Sequence, residues 1–299
     1  MVRRPVALLL ALLLSVAALS PTAWAGWADD NHIPVSVSPS GDNADWSGDV
    51  RGDQVDSSGG WVKNASVWWY RNVDGSYPAN KWEKIYGQWY HFDARGYMQT
   101  GWLKQGSTWY YLSASGAMAT GWARVDGKWY YFASSGAMQT GWVKVGSIWY
   151  YLSASGAMQT GWLKLGSTWY YLSASGAMAT GWVKDGSTWY YMNSSGAMQT
   201  GWVKVNGLWY YLASSGAMQT GWQTIGGQRY YLGTGAMAVG WKQVDGKWYY
   251  FASSGAMQTG WLKVGGKTYY LNSSGVMVTG RQKIGGKTYR FNDAGQLVS

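Results

Sequence analysis

One period constrains this chain more than any other feature. The twenty residues 201–220 read Gly-Trp-Val-Lys-Val-Asn-Gly-Leu-Trp-Tyr-Tyr-Leu-Ala-Ser-Ser-Gly-Ala-Met-Gln-Thr, and edited copies run from Gly60 to Ser299. A repeat of this length is a single supersecondary unit, too small to cover its own apolar face, so neighbouring copies must stack. We number the unit 1 to 20 from the Gly of Gly-Trp.

Positions 2 to 5 and 8 to 12 are aromatic and branched, with a turn between them at positions 6 and 7. Asp126-Gly127, Asn206-Gly207 and Asp245-Gly246 suit a two-residue turn with positive φ at both residues. Gly106-Ser107, Gly146-Ser147, Gly166-Ser167 and Gly186-Ser187 suit the type with Gly first. Both close tight hairpins, and Gly at position 16 reads as the turn into the next one. The fold class expected is all-β, a β-solenoid of stacked hairpins of about 20 residues each, since a lone hairpin is marginal in water. Twelve units are counted over 60–299: two irregular ones (Gly60–Asn80, with one extra residue, and Lys81–Thr100), six regular ones (Gly101–Thr220), one short by a residue (Gly221–Val239), one regular (Gly240–Thr259), and two decayed ones (Gly260–Thr279, Gly280–Ser299).

Differences among the units separate structural positions from functional ones. Tyr is read at position 10 throughout, from Tyr70 to Tyr289, which points to a structural task. Positions 2, 9, 11 and 18 change together in the last unit, to Arg281, Thr288, Arg290 and Leu297. On a strand, positions 9 and 11 share a face and position 10 takes the other. A pocket of two Trp, a Tyr and a Met fits that joint loss. Aromatic faces attract a quaternary ammonium, and Met lines such a cavity without charge. The same side chains could instead serve only as core. Leu, Val and Phe would do that without an indole N–H to satisfy, which favours the pocket.

The chain of 299 residues has 24 Trp, 24 Tyr, 4 Phe, no Cys and a formal charge of +10. Without Cys, neither disulfides nor thiolate metal sites staple it. Residues 1–25 have the form of a secretory signal peptide: Arg3 and Arg4, an apolar run from Val6 to Leu19, and Ala23-Trp24-Ala25. The run is short for a membrane anchor, no other segment is apolar enough to span, and no stable membrane insertion is expected. Losing the two leader arginines leaves about +8. Residues 26–59 are rich in Asp, Ser and Gly and read as an acidic flexible linker. Its Asp spacing does not match a calcium loop, and Arg51-Gly52-Asp53, a tripeptide that some host receptors recognise, is in a Gly/Asp-rich segment most often chance.

Position 4 is basic in Lys63, Lys84, Lys104, Arg124, Lys144, Lys164, Lys184, Lys204, Lys263 and Lys283. Such a ladder either follows a repeating polyanion or keeps one face solvated. Charges dispersed one per hairpin in a secreted chain argue against nucleic acid as partner. Catalysis lacks its parts, because His32 and His91 are the only His, Glu83 is the only Glu, and Asp185 and Asp245 are read in turns. No enzyme activity, cofactor or metal is expected.

The pattern Gly-Trp-x-Lys…Trp-Tyr-Tyr-Leu…Gly-Ala-Met-x-Thr-Gly-Trp resembles the cell-wall-binding repeats of choline-binding proteins of Gram-positive bacteria and their phages. The stretch Trp69-Tyr70…Asp74-Gly-Ser-Tyr-Pro78…Trp89-Tyr90…Gly96-Tyr-Met98 is similar to the opening of the binding module in pneumococcal-type autolysin amidases. The resemblance covers residues 60–299. It implies choline sites between successive hairpins, each with two Trp from one hairpin, an aromatic from the next and a nearby Met. Carried onto this sequence, the Trp pairs are Trp82/Trp89, Trp102/Trp109, Trp122/Trp129, Trp142/Trp149, Trp162/Trp169, Trp182/Trp189, Trp202/Trp209 and Trp241/Trp248. The Tyr residues assigned to close them, in the same order and at position 11, are Tyr111, Tyr131, Tyr151, Tyr171, Tyr191, Tyr211, Tyr231 and Tyr270. The methionines are Met98, Met118, Met138, Met158, Met178, Met198, Met218 and Met257. Arg229 is expected to spoil the junction after Gly221, and Thr268 with Arg290 the one after Gly260. A protonated His91 would repel a cation at the Trp82 junction. The implied partner is choline-bearing teichoic or lipoteichoic acid of the cell wall, at the cell surface. Related repeats that bind glucan make a glucan- or exopolysaccharide-binding protein the alternative, and a surface adhesin with Arg51-Gly52-Asp53 as its only hook is the third reading.

Overall fold

The computed structural model describes residues 59–299. The leader, the linker up to Ser58 and the Arg51-Gly52-Asp53 tripeptide lie outside the described residues. Among the described residues every regular element is a strand, and the strands pair as twelve antiparallel two-stranded hairpins. Two compact units divide them, one ending at Met138 and the other running Gln139–Ser299. No helix among the described residues is long and apolar enough to cross a membrane.

The turns have the expected chemistry. Asp126, Asn206 and Asp245 hold φ of 48°, 49° and 49°, each followed by a positive-φ Gly. Gly106, Gly146, Gly166 and Gly186 hold φ of 58–61°. Asp185 is a correction: it is the last residue of the strand Gly181–Asp185, and the turn behind it is Gly186-Ser187.

In the strands Gly101–Gln105 and Thr108–Leu112, Trp102 stands opposite Tyr111 and Lys104 opposite Trp109. Positions 2, 4, 9 and 11 therefore share one face, and positions 3 and 10 the other. After the hairpin the chain turns through Gly116 and returns, with Met118 bridged to Leu112. Its N–H then donates to the carbonyl of Trp89, one hairpin back, at 2.8 Å. The same link joins Met138 to Trp109, Met178 to Trp149 and Met198 to Trp169. Within each unit these bonds stack hairpin on hairpin, as expected of a β-solenoid.

The core of each stack is position 12. Phe92, Leu112, Phe132, Leu152, Leu172, Met192, Leu212, Leu232, Phe251, Leu271 and Phe291 are all buried. Truncating one of these to Ala costs about 2–5 kcal/mol. By contrast, the position 9 tryptophans Trp89, Trp109, Trp149, Trp169 and Trp209 keep 37–42% of their surface in solvent. These indoles stay partly in solvent, whereas the core is built by other side chains.

The first hairpin corrects the alignment of its unit. Gly60–Asn64 pairs with Val67–Arg71 so that Trp61 faces Tyr70 and Lys63 faces Trp68. Trp68 therefore holds position 9, Trp69 position 10 and Tyr70 position 11. The turn Ala65-Ser66 is of normal length, so the extra residue lies after the hairpin.

Candidate aromatic cages between hairpins

Each cage begins with the two tryptophans on one hairpin face. The Trp102 and Trp109 rings stand at 6.2 Å and 89°. Trp142/Trp149, Trp162/Trp169, Trp182/Trp189 and Trp202/Trp209 repeat this at 6.2–6.5 Å and 88–89°. Two perpendicular indoles form a corner whose faces carry negative potential.

The third wall comes from position 10 of the next hairpin. Trp102 meets Tyr130 at 4.8 Å, Trp142 meets Tyr170 at 5.0 Å, Trp162 meets Tyr190 at 4.6 Å, and Trp182 meets Tyr210 at 4.8 Å. Trp82 meets Tyr110, Trp202 meets Tyr230 and Trp241 meets Tyr269 in the same way. This corrects the assignment of position 11. Tyr111, Tyr131, Tyr151, Tyr171, Tyr191, Tyr211, Tyr231 and Tyr270 each pack edge-on at 5.1–5.2 Å against the position 2 Trp of their own hairpin. The reason is pairing register: positions 2 and 11 are cross-strand partners, so position 11 supports the indole and only position 10 looks back to the preceding hairpin.

The fourth wall is Met. A cavity of about 250 Å³ is lined by Trp82, Trp89, Tyr110, Met118, Ser134 and Ser135. Met118 belongs to the same repeat as Tyr110, and its backbone is fixed on Trp89. By the same link Met98 goes with Trp68, Met138 with Trp109, Met178 with Trp149, Met198 with Trp169 and Met218 with Trp189. Met237 goes with Trp209 and Met277 with Trp248; neither was among the methionines picked from the sequence. The position 16 glycines make room for these thioethers. A Cβ on Gly116 would stand 2.2 Å from Met98 Sδ, and one on Gly196 2.5 Å from Met178 Sδ. Their φ of 80–81° independently favours Gly.

Trp122 and Trp129 form the last indole pair of the first compact unit. Its rings make the usual corner, at 6.4 Å and 88°. Trp129 lies in the compact unit that ends at Met138, whereas the next hairpin, with Tyr150, Tyr151 and Met158, belongs to the unit that begins at Gln139.

One further cage escaped the sequence reading. Trp61 meets Tyr90 at 4.7 Å and Met98 is anchored on Trp68, which reproduces the arrangement one hairpin earlier.

The degraded junctions differ from one another. At the junction after Gly221, Trp222 meets Tyr249 at 4.8 Å and Met257 is anchored on Arg229. The Arg229 guanidinium lies over the Trp222 ring, its Cζ 4.5 Å from the centroid. The chain itself puts a cation on that aromatic wall. At the junction after Gly260, Trp261 meets Tyr289 at 4.9 Å, but Thr268 and Leu297 stand where a Trp and a Met are otherwise found. Arg290 is opposite Arg281 in its own hairpin, so Thr268 rather than Arg290 removes the wall.

The basic ladder is part of the same face. Lys63, Lys104, Lys144, Lys164, Lys184 and Lys204 hold Nζ 5.5–5.9 Å from the ring of their cross-strand Trp. His91 is buried, edge-on to Trp82 at 5.0 Å. The Trp82 indole N–H donates to Gln105 Oε1 at 2.7 Å, which turns the Gln105 amide NH₂ toward His91 Nε2. His91 Nε2 is therefore the acceptor and Nδ1–H donates to Gln99 Oε1. The two glutamine amides fix the ring beside Trp82. Burial raises the phenol pKa of Tyr90 and Tyr210, both of which close cages.

A family model for the choline-binding repeat matches residues 79–120, 119–160, 159–200, 199–240, 238–281 and 259–299. The structure of CbpJ from Streptococcus pneumoniae TIGR4 is 34% identical, covering 80% of this chain and 100% of that one, with a TM-score of 0.57. Choline binding protein F from Streptococcus pneumoniae is 33% identical over 81% of this chain and 99% of that one, with a TM-score of 0.54. A lysozyme of Streptococcus phage Cp-1 is 44% identical over 39 residues, only 13% of this chain and 12% of that protein. Stacked hairpins, perpendicular indole pairs and the family match agree, and the chain belongs to the choline-binding repeat family.

Proposed function

We propose that this chain is a secreted, non-enzymatic protein that attaches to the cell wall by holding choline residues of teichoic or lipoteichoic acid between its hairpins. The observation that carries the reading is the cavity between Trp82, Trp89, Tyr110 and Met118: a cage of three aromatic rings and a thioether with no charged side chain among its lining residues. Such walls favour a bulky, weakly hydrated ammonium over a small hydrated one. Choline binding protein F has been solved in complex with ipratropium, itself a quaternary ammonium, and in the presence of a peptidoglycan analogue. The leader at residues 1–25 would export the chain, and the acidic segment 26–59 would tether the array.

Several cages in one array act by avidity. Sites of millimolar strength gain on the order of 10² to 10⁴ when linked. The test is retention of the full chain on an immobilised tertiary amine, followed by elution with free choline or with dextran. Elution by choline alone supports the reading. Elution by dextran alone would make glucan the ligand and the aromatics stacking platforms.

A further inference from the structure

Position 5 is apolar beside most cages, but residue 185 is Asp. Its Oδ2 accepts the indole N–H of Trp162, one hairpin back, at 2.8 Å. Trp162 is the corner of the cage formed with Trp169 (6.2 Å, 88°) and Tyr190 (4.6 Å). Leu165 and Val205 take the same position beside the flanking indoles Trp142 and Trp182. We propose that Asp185 makes the Trp162 cage bind quaternary ammonium cations more tightly than the flanking cages at Trp142 and Trp182. The proposal rests on the cage reading above and goes beyond it by ranking the sites.

Two effects act in the same direction. A charge-assisted hydrogen bond pulls the indole proton toward the carboxylate, which leaves more electron density on the ring that faces the cation. The carboxylate also adds a direct attraction at the cage wall. The other charges near the three cages are matched: Lys144, Lys164 and Lys184 each hold Nζ 5.5–5.8 Å from the ring of Trp149, Trp169 and Trp189. Each of these lysines opposes an incoming cation, and at the Trp162 cage Asp185 offsets it. The residues at position 3 of the following hairpins, Leu163, Val183 and Val203, carry no charge. Gln105 accepts the Trp82 indole N–H in the same geometry with a neutral oxygen, so a polar acceptor at position 5 recurs without the charge. Because Asp185 is exposed, water and salt screen it, and the advantage is about two- to fivefold in affinity.

The experiment is a titration of the full chain labelled with ¹⁵N at the Trp indoles, with each signal assigned by a single Trp→Phe variant. Choline chloride is added, and in a parallel series its neutral isostere 3,3-dimethyl-1-butanol. The Trp162 signal should reach half-change at about two- to fivefold less choline than Trp142 and Trp182. Asp185→Asn, which keeps an acceptor for the indole but removes the charge, should bring it level, as should 1 M NaCl. The neutral isostere should show no such ranking. Equal midpoints for all three cages, or an Asp185→Asn midpoint unchanged while Trp142 and Trp182 titrate normally, would overturn the role of Asp185 alone. If no indole responded to choline at all, the cage reading would fail, and this proposal with it.

Discussion

Arg229→Trp should add one choline site to the chain. The junction after Gly221 already has three of four walls, because Trp222 meets Tyr249 at 4.8 Å and Met257 is anchored on residue 229. Its Trp222–Phe251 spacing of 5.8 Å matches the 5.9 Å of Trp102–Phe132 at an intact cage. What differs is the guanidinium 4.5 Å from the Trp222 centroid. A second cation beside it would meet a unit charge at about 4 Å, costing about 1 kcal/mol in water and about 4 kcal/mol at a partly shielded surface. That weakens binding by about fivefold to several hundredfold and keeps the junction empty where millimolar cages fill. Trp at this position removes the repulsion and supplies a further ring, worth about 0.5–2 kcal/mol. Equilibrium dialysis against labelled choline should count one more ligand per chain for Arg229→Trp than for the wild type. Arg229→Ala should gain none and should lose about 0.5–1 kcal/mol of stability with its cation–π contact. A folded Arg229→Trp with an unchanged count would refute this reasoning. A gained site in Arg229→Ala would show that one indole is enough.

Other perturbations test separate parts of the arrangement. Trp149→Ala removes one wall of the cage with Trp142, Tyr170 and Met178, and dialysis should count about one ligand fewer. Because Trp149 is 40% exposed, the fold should persist, and collapse would make it core. Gly196→Ala forces a Cβ to 2.5 Å from Met178 Sδ at φ of 80°, so it should cost more than about 1 kcal/mol and weaken that same cage; an unmoved thermal midpoint would contradict the close packing. Alkaline pH should destabilise the stack. Burial raises the folded-state pKa of Tyr90 and Tyr210 above the ordinary 10.0, so their stabilising contribution is full below pH 10 and lost as pH rises through the folded value. Denaturant midpoints that fell well below pH 10 would not fit this cause.

The period and the turn dipeptides made the hairpins and their stacking legible, because Asn-Gly, Asp-Gly and Gly-Ser act within two residues. Arg229 stood out for the same local reason, since it breaks an otherwise repeated Trp. The choice between positions 10 and 11 was not. Alternation assigns them to opposite faces, but which face meets the next hairpin depends on how hairpins stack, and one unit's sequence does not carry that. The joint change at Arg281, Thr288 and Arg290 drew position 11 in with positions 2 and 9, because all three share one hairpin face. The first cage was missed through register. Trp69-Tyr70 copies the appearance of Trp89-Tyr90, and only counting residues across the Ala65-Ser66 turn would have put Trp68 at position 9. Asp185 looked like a turn residue because turns favour Asp, yet it ends a strand and reaches back to Trp162.

The most direct measurement is a crystal structure of the full chain with bound choline. Density for the trimethylammonium group is expected inside the corners formed by position 2 and 9 tryptophans, against Tyr110, Tyr130, Tyr170, Tyr190, Tyr210, Tyr230 and Tyr269 and the paired Met. The first cage, at Trp61, Trp68 and Tyr90, should be filled as well, and the junctions at Arg229 and Thr268 should be empty. Choline bound on the position 11 tyrosines, or absent from these corners at saturating concentration, would contradict the account.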